Sequence, residues 1–439
     1  MKTWCIVCCV SCVSCVCAAF TPAVSQTPAD SSTTSYEIGG IHIIHRRATG
    51  NDIVAANLYL LGGSRQLTFA NAGIEPLLLA ASERGTARFT REQLRRQLAR
   101  TGSAIVMAAD RDWTMVGLRT TIGGFRDTWP GFADRIVAPA LDSANVAIER
   151  ELLVAGLAQR RDSPDAWAEH LADSVAFVGH PYGIDPVGTD RSVASLTVGA
   201  LRAYHRTQFV KSRMLLVIVG NIARTALDSL VRTTLATLPA GAYGWTLPDT
   251  IPRRATTVFR ESRRLPTNYL VGHAPGPRAD DPDYESVRVA CAILSGRLFA
   301  EVRSRQSLTY AVNAPFSERA VAAVGLYVST TDPVAALNAM REEIRALQEN
   351  VIDGTSLGPL VQQFITEYFL GNETNAAQAD FLLRAELFRG DWRKASMFTG
   401  ALRAVTARDV QRVMLRYFRD LNFAYVGDPA RLPESAIRH

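Results

Sequence analysis

The stretch TVGALRAYHRTQF, Thr197 to Phe209, returns 209 residues later as TARDVQRVMLRYF, Thr406 to Phe418. The two copies share a leading threonine, apolar residues at matching helical positions, an aromatic pair and a terminal phenylalanine. A strand candidate ending in Val-Gly follows each: MLLVIVGN at Met214 to Asn221, LNFAYVGD at Leu421 to Asp428. Two amphipathic helices can match by chance, but a shared order of helix, strand and turn points to duplication, with two homologous lobes of about 200 residues each. Between the lobes, LPAGAYGWTLPDTIP (Leu238 to Pro252) has three prolines, two glycines and little periodicity, the composition of a linker. Alternating segments such as IVAANLYLL and TMVGLRTTI read as strands, and AIERELLVAGLAQRR and PVAALNAMREEIRALQENV as helices. Neighbouring strands followed by runs of helix predict α+β lobes, each a mainly antiparallel sheet packed with helices.

Outside the repeat, composition narrows the class. With 47% hydrophobic and 21% charged residues the chain is neither disordered nor fibrous and is long enough for two cores. Met1 to Phe20 carries Lys2 and an apolar run, and Ala23-Val24-Ser25 is a small-x-small site, so residues 1–25 read as a secretory signal peptide rather than a retained anchor. The expected destination is the periplasm or the medium. Six of the seven cysteines lie in that segment; Cys291, among apolar neighbours, reads as a packing residue. The net charge of +6 comes from dispersed arginines without a basic stripe and interleaved aromatics, which argues against nucleic-acid binding. The domain boundaries follow: 26–240 for the first lobe, 241–256 for the linker and 257–439 for the second lobe.

Catalytic motifs are missing. The closest histidine pair, His42 and His45, is three apart in a predicted strand, so its members face opposite ways and cannot chelate one metal. There is no H-E-x-x-H, no G-x-S-x-G, no phosphate-binding glycine loop and no Cys/His cluster.

AGIEPLLLAASERGT, Ala72 to Thr86, nevertheless resembles the inverzincin helix of the pitrilysin/insulinase-like metallopeptidases, A-G-x-x-H-x-x-E-H followed by G-T. Gly62-Gly63-Ser64 before it, and HPYG (His180 to Gly183) and Gly188-Thr189 after it, match in order. The resemblance implies a clamshell of two lobes around a peptide cavity. In the family two histidines hold zinc, a glutamate acts as base, and a later glutamate is the third ligand. Those places hold Pro76, Leu79, Ala80 and Gly156 here, so a degenerate zinc site and no bound cofactor are expected. In the second lobe LSGRLFAEVRSRQSLTYAV (Leu294 to Val312) resembles S-R-L-x-x-x-L-R-x-K-x-G-L-A-Y, with Arg303 and Tyr310 on its Arg and Tyr. Gly296, Ser307 and Thr309 depart from that pattern.

What the resemblance implies is a non-catalytic subunit with no catalytic residue of its own. A homologous partner would carry the zinc, and Arg303 and Tyr310 would bind substrate and stabilise the oxyanion in the partner's site on an unfolded peptide. The alternatives are an inactive scaffold or peptide-binding protein of the same fold, and a hydrolase with an unrecognised site.

Overall fold

The computed structural model describes residues 32–252 and 254–438; the signal peptide expected at 1–25 lies outside them. The first lobe contains β1 (Thr33–Ile38), β2 (Ile41–Arg46), β3 (Ile53–Leu61), α1 (Ile74–Ser82), α2 (Arg91–Thr101), β4 (Ala104–Ala109), β5 (Trp113–Thr121) and α3 (Ile122–Val137). It continues through α4 (Ser143–Asp162), α5 (Pro164–Ala176), α6 (Asp190–Ser195), α7 (Val198–Gln208), β6 (Met214–Val219) and α8 (Arg224–Thr233). The second contains β7 (Val258–Ser262), β8 (Asn268–Arg278), α9 (Tyr284–Leu298), β9 (Thr309–Asn313), β10 (Phe316–Ser317), β11 (Val321–Thr330) and α10 (Pro333–Glu349). After these come α11 (Gly354–Gly371), α12 (Asn375–Arg389), α13 (Phe398–Arg403), α14 (Ala407–Tyr417), β12 (Asn422–Gly427) and α15 (Glu434–Arg438).

The repeat found in the sequence is α7–β6 and α14–β12. Thr197 and Thr406 cap their helices by accepting the Ala200 and Asp409 N–H groups. The strands that follow occupy equivalent places. The first sheet runs β1-β2-β6-β3-β5-β4 and the second β7-β12-β8-β11-β10, with β9 also paired to β11. β6 is parallel to β2 and antiparallel to β3, just as β12 is parallel to β7 and antiparallel to β8. Both sheets are therefore mixed, mainly antiparallel with one parallel pair each.

Because side chains alternate along a strand, β6 serves two cores at once. Leu216 and Ile218 pack into the first lobe's own core, whereas Leu215, Val217 and Val219 face Leu382, Leu383 and Phe388, brought by α12 of the second lobe. The exchange is reciprocal: Ala168, Leu171 and Ala172 of α5 cover Val271, Ala424 and Val426 of the second sheet. Each lobe thus lends a helix to the back of the other's sheet, which gives the two-lobed clamshell its closed base. The segment between α8 and β7 lies against this base, where Trp245 Nε1 donates to the Leu387 carbonyl at 2.9 Å and Arg65 stacks over its ring. Polar bonds reinforce it. Tyr182, from the HPYG turn, donates to Asp112 at 2.5 Å, and Asp112 accepts the Ala320 N–H from the second lobe at 2.9 Å.

Candidate functional site

Helix α1 starts at Gly73, whose φ of +90° is left-handed; a Cβ there would meet the Val187 carbonyl at 2.9 Å and Val193 at 2.6 Å. The Ala72-Gly73 and Gly188-Thr189 landmarks are thus two sides of one close backbone contact. Pro76 occupies the first turn, where an N–H has no intrahelical acceptor, so the proline leaves the helix intact. Pro76 and Leu79 are buried, Ala80 is half-buried, and α1 packs on α4, which carries Gly156 on its exposed face. None of the four has a side-chain donor atom for a metal. Glu149, seven residues before Gly156 on α4, is already paired with Arg84. The residues at the ligand positions therefore do not fit a zinc ion, and among the described residues no group of three His, Cys, Asp or Glu side chains lies close enough to hold one. The histidines of β2 diverge as strand geometry requires: His42 contacts Ser35 and Glu386, His45 contacts Tyr36.

A residue that sequence reasoning missed anchors α1. Glu75, 1% exposed, accepts Thr114 Oγ1 at 2.5 Å, Tyr204 Oη at 2.6 Å and Arg213 Nη2 at 3.1 Å, and Arg213 is equally buried. Burial, reinforced by the Glu75 charge, pushes the Tyr204 hydroxyl well above its ordinary range, so it stays a donor. A glutamate inside an apolar helical run was the available signal.

On the second lobe α9 continues into a π-helical turn, Phe299–Arg305, that packs on β9. Such turns recur at functional sites. Arg303 is exposed and lies 4.7 Å over the Phe299 ring; Tyr310, at the start of β9, is 89% exposed. Arg303 and Tyr310 are thus exposed on a turn and a strand of the second lobe that pack together, and Pro76, Leu79, Ala80 and Gly156 lie on a helix pair of the first. The departures near Arg303 and Tyr310 each have a physical account. Gly296 faces open space, Ser307 takes the left-handed conformation, φ +53°, that a glycine would adopt freely, and Thr309 bridges the strand start by accepting Ala311 N–H and donating to the Ser329 carbonyl.

Fold and site together define a two-lobed α+β protein whose packed helices α1 and α4 carry no metal-ligating side chain at Pro76, Leu79, Ala80 or Gly156. Residues 195–357 match the family described as Peptidase M16 inactive domain. A Mycobacterium tuberculosis protein named an uncharacterized zinc protease is 25% identical over 297 residues, 64% of this chain; the chain spans just under two thirds, 66%, of that relative's length. Cytochrome b-c1 complex subunit 1 of Caenorhabditis elegans is 20% identical over 405 residues, 86% of this chain and 84% of its own. The solved peptidase M16 inactive domain from Pseudomonas fluorescens matches with a TM-score of 0.82 at 18% identity, covering 90% of this chain and 98% of that one. The partial family match, the relatives named zinc proteases and the fold neighbour agree with the resemblance to the pitrilysin/insulinase-like peptidases, in a chain that lacks the H-x-x-E-H motif.

Proposed function

We propose that the chain is the non-catalytic subunit of an exported, periplasmic or secreted, heterodimeric zinc peptidase that degrades or processes peptides. The observation that carries this reading is Tyr310, a large aromatic 89% exposed on β9, the strand packed against the turn that carries the exposed Arg303, in a chain whose own ligand positions hold no donors. A phenol and a guanidinium presented together can donate to the oxygen that gains charge when a peptide carbonyl is attacked, provided another subunit supplies the attacking group. A homologous partner would hold the zinc that this chain cannot. Peptide would add as a strand, and β4 offers the edge for it. β4 pairs only with β5 in its sheet, carries no proline or charge in AIVMAA, exposes Val106 and Met107, and has α1 packed beside it.

The test begins with the tagged chain recovered from its native cells, followed by zinc analysis and peptidase assay of what co-purifies. The complex should contain zinc and cleave unfolded peptides, while the chain alone does neither. In the reconstituted pair, Arg303→Ala and Tyr310→Phe should each lower kcat by about 100-fold. Unchanged turnover in both variants sinks the assigned role.

A second reading, an inactive scaffold, is favoured by the similarity to cytochrome b-c1 complex subunit 1 along most of the chain. Recovery of the chain in a large assembly without peptidase activity would favour it.

A further inference from the structure

The helical segment that carries Arg303 holds three arginines, and two of them are paired with carboxylates. Arg297 Nε donates to Glu343 at 2.6 Å, and Arg305 Nη1 meets Glu301 at 2.6 Å. Glu301 also accepts Gln306 Nε2 at 2.9 Å, so the carboxylate closest to Arg303 in the sequence is occupied by two other donors. Among the described residues Arg303 forms no ion pair. Its guanidinium lies instead over the ring of Phe299, 4.7 Å from the centroid.

That contact is set by the helix itself. Phe299 opens the π-helical turn and Arg303 follows four residues later, a spacing that brings two side chains to the same side of a helix. The Gln306 N–H reaches back five residues to the Glu301 carbonyl at 3.0 Å, the wide bond of such a turn. Phe299 is 47% exposed and Arg303 is exposed as well, so the pair sits at the surface, beside the strand that begins with Thr309 and Tyr310.

An aromatic ring attracts a cation through its quadrupole, and it neither cancels the charge nor takes the N–H groups in strong bonds. A carboxylate in the same place would do both. We propose that Phe299 is a positioning residue, which holds the Arg303 guanidinium in one orientation and leaves its charge and N–H groups available to a peptide carbonyl. The inference rests on the role proposed above for Arg303. Rotamer freedom that Arg303 has already given up in the free chain is not lost again when substrate binds, and that saving appears in the turnover step where the oxygen gains charge.

Two measurements test it. In the isolated full chain, phenylglyoxal labels exposed arginines, and mass spectrometry of the digest gives the rate at each one. Phe299→Leu keeps apolar bulk and removes the aromatic face, so it should raise the rate at Arg303 about two- to fivefold, the range of a cation–aromatic contact at the surface. Arg305, on the same turn, is the internal reference, so a change specific to Arg303 is read even if the variant is destabilised. An unchanged rate at Arg303 overturns the proposal. In the reconstituted pair, Phe299→Leu should lower kcat by about the same factor with KM little changed, and Phe299→Trp, which keeps an aromatic face, should restore most of the loss. In the Arg303→Ala background, Phe299→Leu should cost nothing further. If Arg303→Ala lowers kcat and Phe299→Leu does not, the positioning role fails and the proposed function stands. If neither substitution changes kcat, the proposed function fails and this role with it. A loss from Phe299→Leu that persists without Arg303 gives the ring a contact of its own with substrate or partner, and overturns the proposal too.

Discussion

Glu75 lies in an apolar run, yet it is buried against Arg213, which is 138 residues away in the chain. Removing one member of such a pair strands the other in a medium that solvates it poorly. Glu75→Ala should therefore lower stability by about 3–5 kcal/mol, read as a shift of the urea midpoint. A loss below about 1 kcal/mol would mean that Arg213 finds another acceptor. This pair could not be read from the sequence, because a lone glutamate in a helix is usually a surface residue and nothing local names its partner. The ligand positions were the opposite case. Pro76, Leu79, Ala80 and Gly156 carry no side-chain donor atom, and that much is read from residue type alone, because no geometry makes a metal ligand of a hydrocarbon side chain.

At the level of elements, the repeated helix and strand were legible because caps and periodicity are local, as Thr197 and Thr406 illustrate. Where an element docks is not local. Leu382 and Leu383 mark α12 as amphipathic, but only the tertiary structure sends them to the back of the other lobe's sheet. The junction between the π-helical turn and β9 is another place where local chemistry and fold disagree. Ser307 holds φ +53°, a conformation that costs a residue with a side chain about 1 kcal/mol relative to glycine. Ser307→Gly should raise stability by about that amount and leave the exposure of Arg303 and Tyr310 unchanged. A thermal melt of the variant checks it, and destabilisation would show that the serine hydroxyl has a compensating bond.

Asp173 and Asp112 bond across the two lobes, and the shifts of these and other buried ionisable groups set the molecule's pH response. Burial lowers the pKa of His180 from 6.5 to about 4, and His45 and His205 shift the same way for the same reason. Unfolding lets these rings take up protons, so the stability they confer is complete above pH 6.5 and falls as the pH drops through about 4. Burial would raise Asp185, but His170, Arg111 and Arg160 bring it from 3.8 down to about 2, and Arg319 and His273 hold Asp173 well below its ordinary value. Their contribution is present above pH 3.8 and lost toward pH 2. Urea midpoints against pH should fall in two stages, and Asp185→Asn should remove part of the second stage only.

The exchange of helices between lobes makes a stronger demand. A fragment of residues 26–256 would leave Leu215, Val217 and Val219 uncovered on β6, and one of residues 257–439 would uncover Val271, Ala424 and Val426. In the intact chain all six are at most 2% exposed. Each fragment would keep its own inner core but lose one wall of a shared one, at a cost comparable to the whole stability of a domain, about 5–15 kcal/mol. Neither fragment alone should melt cooperatively, and mixing the two should restore one cooperative transition and the near-ultraviolet dichroism of the full chain. If residues 257–439 alone give a sharp melt, the lobes are independent domains. If only the mixture does, the base of the clamshell is a single folding unit.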